Sequence, residues 1–423
     1  MATTARTGPR MNIPTAALEA LAAEAPGADG HRQIIRLAVN TVAAARQLTE
    51  PWPIDLPDDA AHRIRKLLQD IDGITTWGPA ELGSLREQLL ASDTRSASGT
   101  WYTPHQIAHP LTRAALSTIT DLHLNDDPTD VLNISVLDPA CGGGVFLIAA
   151  ARILASAYVG LLFGTHDPAP LTVQAVTADV MRSCVYGIDT DPVAVDLAKS
   201  ACWLEAGGFP PIGWLDSNII VGDALAGDVP PALAGRLNSP NPLAIVGNPP
   251  YKDKAKGAAP WIEARRPRRG QARAADELWR PSLDEFRYPG RGRLEYALSN
   301  LHVYFWRWAL WRAFETRLHT GVVAFLSPAA WLDSQAFDGM RAALRRAADQ
   351  GLVIELTPEG MQPPVPTRVF PGVAQPLCAA VFSRKAGPDP YRHAEVMCAT
   401  VTGTREEKFQ QFDDLLRPGR PAS

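Results

Sequence analysis

Short apolar runs alternate with helical segments from residue 131 onward, and this alternation restricts the possible folds more than any other feature. Strands are predicted at 131–137, 185–188, 219–221, 243–246, 321–326 and 377–382. Apolar residues at helical spacing predict helices at 145–158, 192–206, 301–318 and 338–350. Because strands that alternate with helices form βαβ units, the sequence predicts an α/β fold, a Rossmann-like, doubly wound and mostly parallel sheet.

Residues 1–95 have a different character. They are rich in Ala and Leu, with helical spacing at 60–70 and 81–90. The small-residue stretch SASGT at 96–100 then marks a break in the pattern. We therefore predict three parts: an N-terminal helical region (1–95), an α/β domain (96–386) and a short polar C-terminal tail (387–423).

Composition narrows the class of protein. The five cysteines are scattered, without a CxxC pair or a His/Cys cluster, which predicts a reducing cytoplasm and no metal site. The N-terminus lacks the apolar core of a signal peptide, and no uninterrupted apolar run of about 18 residues occurs, so we expect a cytoplasmic protein without a membrane span. A net charge of −4 argues against an evenly basic surface but leaves room for a local basic patch.

A glycine-rich turn, LDPACGGGVF at 137–146, joins the first predicted strand to the following helix. Adjacent glycines let the backbone approach a ligand closely and adopt positive φ angles. The spacing does not match the GxGxxG dinucleotide fingerprint, and no Lys-Ser/Thr pair follows as in a P-loop. The turn therefore favours a ligand that is neither a dinucleotide nor a nucleoside triphosphate.

Two carboxylates follow the next two strands, Asp189 in GIDTDP and Asp223 in GDAL. An acid at the end of the second strand of a doubly wound sheet can accept both ribose hydroxyls of a nucleoside, and Asp223 would suit an adenine amine. Taken singly, each feature is equally typical of an ordinary strand-to-helix turn with surface acids. In this order they predict a pocket for an adenosyl ligand without phosphates.

The sequence Asn248-Pro249-Pro250-Tyr251 follows the fourth strand. Two prolines make the turn rigid and remove two backbone donors. The Asn248 side-chain carbonyl and the Pro249 backbone carbonyl could each accept a hydrogen from a planar amine, and Tyr251 could stack on a base. A base in a duplex would have to be flipped out to reach such a site. In isolation, the alternative is a plain proline turn.

A basic stretch at 252–295 follows this turn, and we predict that it faces DNA. Its candidate phosphate contacts are Arg265, Arg266, Arg268 and Arg269. For any one of these arginines, the alternative is a solvated loop.

These elements, in this order, resemble the amino-methyltransferases of the gamma motif order. They are most similar to the N6-adenine DNA methylases of type I and type IIG (Eco57I-like) restriction-modification systems. The sequence WYTPHQIA at 101–108 resembles the "YYTP…IA" element of that family, and 81–90 resembles the helix that leads into it. The resemblance covers about residues 81–384.

The resemblance implies S-adenosyl-L-methionine as cofactor and double-stranded DNA as partner, within a restriction-modification or related phage-defence system. The implied catalytic residues are Asn248, Pro249, Pro250 and Tyr251. The implied cofactor-binding residues are Thr103, Pro104, Asp138, Pro139, Ala140, Gly142, Gly144, Phe146, Asp189, Asp223 and Ala224. Thr103 and Pro104 would contact the methionine part of the cofactor.

Two departures from this family leave alternatives open. Gly143 stands where serine is more usual, and larger relatives continue with a target-recognition domain. A separate specificity subunit or a nuclease could therefore accompany this chain. The alternative functions are methylation of RNA or of protein glutamine, and a truncated DNA-binding or assembly subunit without catalysis.

Overall fold

The computed structural model describes residues 13–89, 103–125, 127–227, 231–265, 280–316, 320–385 and 392–417. The helices in these ranges are α1 (Thr15–Glu24), α2 (Gly27–Ala45), α3 (Asp58–Gln69), α4 (Pro79–Leu89), α5 (His105–His123), α6 (Thr129–Leu132), α7 (Val145–Phe163), α8 (Pro170–Cys184), α9 (Pro192–Glu205), α10 (Pro231–Leu237), α11 (Pro260–Glu263), α12 (Leu301–Leu310), α13 (Asp338–Ala347) and α14 (Arg405–Leu415). The strands are β1 (Ser135–Asp138), β2 (Val185–Asp189), β3 (Ile219–Val221), β4 (Leu243–Gly247), β5 (Gly321–Pro328), β6 (Gln350–Glu355), β7 (Leu377–Arg384) and β8 (Glu395–Thr400).

The strands of the described residues form one sheet in the order β3-β2-β1-β4-β5-β7-β6-β8. All neighbours from β3 to β5 are parallel, β7 is antiparallel to both β5 and β6, and β8 is parallel to β6. The predicted Rossmann-like, mostly parallel fold is thereby confirmed. The strand order reverses between β1 and β4, which is the place where a doubly wound sheet opens a crevice for a ligand.

Both faces of the sheet are covered, so its central strands are apolar without alternation. Successive side chains point to opposite faces. Val136 and Ala244 accordingly belong to one buried cluster, and Leu137 and Ile245 belong to the other.

The N-terminal helices pack into the first of these clusters. Ile34 on α2, Ile64 on α3 and Leu82 on α4 are buried in the same core as Val136 of β1. Polar contacts reinforce this packing, because Asp196 on α9 accepts hydrogen bonds from Arg32 and Arg36 on α2, with shortest N–O distances of 2.6 and 2.7 Å. The division into a helical region and an α/β domain stays a prediction.

Helix α7 is long and apolar enough to cross a membrane, by length and composition alone. It packs against α5, α8 and the sheet, and Leu147, Ala151 and Leu154 along it are fully buried. That placement is typical of a core helix.

Several elements differ from their predicted bounds. Residues 129–132 form α6, so β1 begins only at Ser135. The helix predicted at 301–318 ends at Leu310 and continues as the π-helical turn Trp311–Glu315.

The C-terminal residues also hold regular structure where a polar tail was predicted. Strand β8 pairs with β6 in parallel at the edge of the sheet. Helix α14 starts with a capping box in which Thr404 and Glu407 exchange hydrogen bonds.

Candidate active site

The carboxyl ends of β1, β2, β3 and β4 border a cavity of about 440 Å³ beside the point where the strand order reverses. The sequence-predicted site residues in its wall are Thr103, Asp138, Pro139, Ala140, Gly142, Phe146, Asp189, Asp223, Ala224, Asn248 and Pro250. Pro104, Gly144, Pro249 and Tyr251 belong to the same turns without bordering the cavity. The fold thus brings the glycine turn, both strand-end acids and the Asn-Pro-Pro-Tyr turn to one place.

The glycine turn needs glycine at Gly144. This residue has φ +81°, and a Cβ atom there would lie 3.1 Å from Cα of Ala198 on α9. The absence of a side chain therefore lets α7 start close to α9. At Gly142, also at positive φ, a Cβ would meet open space, so this part of the turn faces the cavity.

Asp189 is held in place by the backbone around it. One carboxylate oxygen accepts the N–H of Gly142 at 2.8 Å, and the other accepts that of Asp191 at 2.9 Å. Burial raises the pKa of the Asp189 carboxyl above its ordinary value. The two bonds fix the carboxylate between the glycine turn and the start of α9, at the wall of the cavity.

Asp138, at the end of β1, is 1% exposed and accepts the N–H of Ala140 at 3.1 Å. Burial, helped by the nearby charge of Asp189, raises the pKa of the Asp138 carboxyl to about 8. Its other neighbour is Gly247 at the end of β4, where a Cβ atom would lie 2.7 Å from Oδ1 of Asp138. Asp138 therefore packs between the glycine turn and the end of β4, which leads into the Asn-Pro-Pro-Tyr turn.

Asp223 follows β3 and is exposed at the cavity wall. It accepts the N–H of Leu225 at 2.9 Å and so caps the short turn that contains Ala224. This hydrogen bond fixes the Asp223 carboxylate while leaving it exposed to the cavity.

Both the nitrogen and the oxygen of the Asn248 side-chain amide form hydrogen bonds. Its Nδ2 donates to Oγ1 of Thr103 at 3.0 Å, and its Oδ1 accepts from the hydroxyl of Tyr251. The side chain of Tyr251 is only 7% exposed, so the face that was predicted to stack on a base is covered here. Burial raises the pKa of the Tyr251 phenol well above its ordinary value.

The cavity is also bordered by residues that were not predicted from the sequence. Gly83, Arg86 and Glu87 on α4 border it, and Arg86 forms an ion pair with Asp191. The helix at 81–90 was noticed for its spacing, but nothing in one sequence shows that it folds against the glycine turn. Lys252, Leu301 and Phe305 complete the opposite wall.

The predicted DNA-facing stretch lies partly outside the described residues, which include Arg265 but not Arg266, Arg268 or Arg269. Arg265 is exposed, and its carbonyl accepts from Nη2 of Arg280 at 2.7 Å. Closer to the Asn-Pro-Pro-Tyr turn, the N–H of Leu301 donates to the carbonyl of Lys252 at 2.8 Å. Within the part of the chain that the structure covers, no group of three or more His, Cys, Asp or Glu residues could hold a metal ion.

Comparison with solved structures supports this fold. The chain is similar to the ATP-dependent Type ISP restriction-modification enzyme LlaBIII bound to DNA, with a TM-score of 0.59 and 12% identity over 95% of this chain and 28% of that one. A DrdV–DNA complex gives a TM-score of 0.57 and 15% identity over 94% of this chain and 43% of that one. The type IIG restriction endonuclease BpuSI gives 0.52 and 13%, over 94% of this chain and 42% of that one.

The chain thus spans between 28% and 43% of the length of these enzymes. No curated protein matches the sequence. The model of the N-6 DNA methylase family matches residues 80–277, a range that includes all of α4 but its first residue, the glycine turn, both strand-end acids and the Asn-Pro-Pro-Tyr turn. The resemblance predicted from the sequence is thereby confirmed, because the N-6 DNA methylase model matches the part of the chain that carries these motifs.

Proposed function

We propose that the chain transfers a methyl group from S-adenosyl-L-methionine to the N6 amine of a flipped-out adenine in DNA, as part of a restriction-modification system. The observation that carries this proposal is that Asn248 borders the same cavity as the glycine turn and Asp189. A methyl donor and an acceptor amine could therefore meet there without a further rearrangement of the sheet. Catalysis would reside in residues 96–386, with α4 adding a wall from the N-terminal region.

The residues of the cavity fit this cofactor. Even with Asp138 largely protonated at neutral pH, acids outnumber bases among the described wall residues, where Asp189, Asp191, Asp223 and Glu87 face Arg86 and Lys252. Such a wall suits a ligand that carries a sulfonium and an ammonium group and disfavours one that carries phosphates.

Each part of the cofactor has residues to hold it. Asp189 would hold the ribose and Asp223 the adenine. Thr103 and Pro104 would contact the methionine part, and Asp138 with the glycine turn would shape the main pocket. When bound, S-adenosyl-L-methionine supplies an already activated methyl group.

The protein's own contribution is to position the acceptor amine. Oδ1 of Asn248 and the backbone carbonyl of Pro249 would accept its two hydrogens, which directs the nitrogen lone pair at the donor. Fixed acceptors of this kind lower the barrier because they need no reorganisation during the reaction. A base in a duplex reaches the site only when flipped out of the stack.

DNA binding would come from the basic stretch after the catalytic turn. Arg265, Arg266, Arg268 and Arg269 would contact phosphates around the flipped base. From the resemblance to the methylases of type I restriction-modification systems, we also propose that a separate specificity subunit or nuclease works with this chain.

The test is to incubate the chain with labelled S-adenosyl-L-methionine and, separately, duplex DNA, RNA or protein, and to identify the modified product. We expect N6-methyladenine in DNA, lost in Asn248→Ala and retained in Asn133→Ala, a control at an exposed asparagine that precedes β1. Label found only in RNA or protein would refute the proposal. Cofactor binding without transfer to any acceptor would instead indicate a subunit that needs its partner.

A further inference from the structure

Both polar atoms of the Asn248 amide have partners from different parts of the chain. Thr103 lies just before α5 and is separated from Asn248 by 145 positions in the sequence, whereas Tyr251 follows in the same turn. Thr103 is 5% exposed and Tyr251 is 7% exposed. At such low exposure, bulk water cannot readily replace either partner.

The chemistry of the two hydroxyls selects one orientation of the amide. A phenol is the stronger donor and the weaker acceptor, because its oxygen lone pair is conjugated with the ring. An aliphatic hydroxyl accepts well. The amide carbonyl therefore belongs on the Tyr251 side and the amide NH₂ on the Thr103 side, as the structure has them.

This orientation matters for the acceptor amine. A carbonyl oxygen has two lone pairs, so Oδ1 of Asn248 can accept from Tyr251 and still accept from a substrate amine. A flipped amide would instead present N–H donors to an amine that also donates.

We infer that Thr103 and Tyr251 are positioning residues that hold the Asn248 carbonyl as the acceptor for the reacting amine. This inference rests on the proposed methyl transfer. It gives Thr103, which also borders the cofactor cavity, a role in catalysis beyond any contact with the cofactor. It likewise gives Tyr251 a role through its hydroxyl rather than through its ring face.

The kinetic test compares Thr103→Val, Thr103→Ser and Tyr251→Phe. Losing one bond to the amide should lower kcat by roughly ten- to a hundredfold in Thr103→Val, a larger change than any in the dissociation constant of S-adenosyl-L-methionine. Thr103→Ser keeps the hydroxyl and should restore kcat. The double variant Thr103→Val/Tyr251→Phe should lose less than the product of the single losses, since either change alone frees the same amide.

A second measurement does not depend on activity. In protein labelled with ¹⁵N-asparagine, the Asn248 side-chain signal is identified by its loss in Asn248→Ala. We expect its protons to exchange with water faster in Thr103→Val than in wild type, and Thr103→Ser to restore slow exchange.

The results of these two measurements distinguish failure of the positioning role of Thr103 from failure of the proposed methyl transfer. Unchanged amide exchange in Thr103→Val would overturn the inference, and so would weaker cofactor binding with unchanged kcat. If label appears only in RNA or protein, the proposed function fails, but the exchange measurement still decides whether Thr103 holds the amide. Equal unfolding midpoints of wild type and Thr103→Val would show that a loss of kcat is not a loss of folding.

Discussion

Asp138 combines deep burial with a carboxyl pKa of about 8, against an ordinary value of 3.8. Because the pKa is higher in the folded protein than in the unfolded chain, the folded state holds the extra proton between about pH 4 and 8. The protonated Asp138 carboxyl therefore contributes fully to the free energy of unfolding at low pH. As pH rises through this window, that contribution falls by at most about 1.4 kcal/mol per pH unit.

Asp138→Asn should therefore gain stability relative to wild type as pH rises. Asparagine cannot ionise and can still accept the N–H of Ala140. We expect its advantage in free energy of unfolding to grow by on the order of 2 kcal/mol from pH 5 to pH 8, measured by urea denaturation. Asp127→Asn is the control, because that exposed carboxyl has a lowered pKa and titrates below this window. A difference between Asp138→Asn and wild type that is equal at both pH values would contradict the prediction.

At the residue scale, sequence reasoning located the groups that follow the strands. Asp189 and Asn248 were found because parallel strands bring their carboxyl ends to one edge, and Asp138 was found from the family resemblance. The contact between Thr103 and Asn248 could not be predicted from the sequence, since no local pattern links two residues 145 positions apart. Burial of the Tyr251 ring was also missed, because it depends on how the rest of the core closes over the turn.

At the scale of elements, α2 and α9 are joined by a buried ion pair. Asp196 is 2% exposed and accepts from Arg32 at 2.6 Å and from Arg36 at 2.7 Å. Asp196→Ala would leave two partly buried guanidinium groups without their acceptor. We expect a loss of about 3 kcal/mol in the free energy of unfolding, measured by urea denaturation.

The control for Asp196→Ala is Arg63→Ala. Arg63 pairs with Glu24 and Asp59 at the surface and is half exposed. Surface ion pairs contribute little to stability. A loss in Arg63→Ala as large as that in Asp196→Ala would show that burial of the pair is not what matters.

The elements that sequence reasoning missed share a physical cause. Strand β8 is an edge strand with most of its side chains exposed, and its short apolar run at 396–399 lies in an otherwise polar segment. Strand β6 begins at Gln350, directly after the helical spacing of α13, which concealed the change of structure. In both cases pairing with a neighbouring strand decides the conformation, and one sequence does not show that pairing.

At the scale of the whole molecule, the N-terminal helices and one face of the sheet share a buried cluster. We predict that α2 and β1 unfold together. Native-state hydrogen exchange should give the amides of Val39 and Val136 the same dependence on urea. Exchange of Val39 at low urea, while Val136 stays protected, would show that the helical region opens by itself.

DNA affinity should depend on salt through the basic stretch. Replacing Arg265, Arg266, Arg268 and Arg269 by alanine should weaken duplex binding and reduce the slope of log K against log salt by up to about 3–4, as each lost phosphate contact removes roughly 0.9. Fluorescence anisotropy over a NaCl series measures this. The double variant Arg405→Ala/Arg417→Ala, near the C-terminal helix, should leave the slope unchanged, and an equal loss there would point to a different DNA-binding face.

Gly247 leaves room for the carboxylate of Asp138 only because it has no side chain. A larger residue at position 247 would fit only beside a smaller one at position 138. In a deep alignment of homologous sequences, these two positions should therefore co-vary, and a library randomised at both should recover compensating pairs rather than independent changes. The glycine turn and the Asn-Pro-Pro-Tyr turn would then have to evolve as one unit.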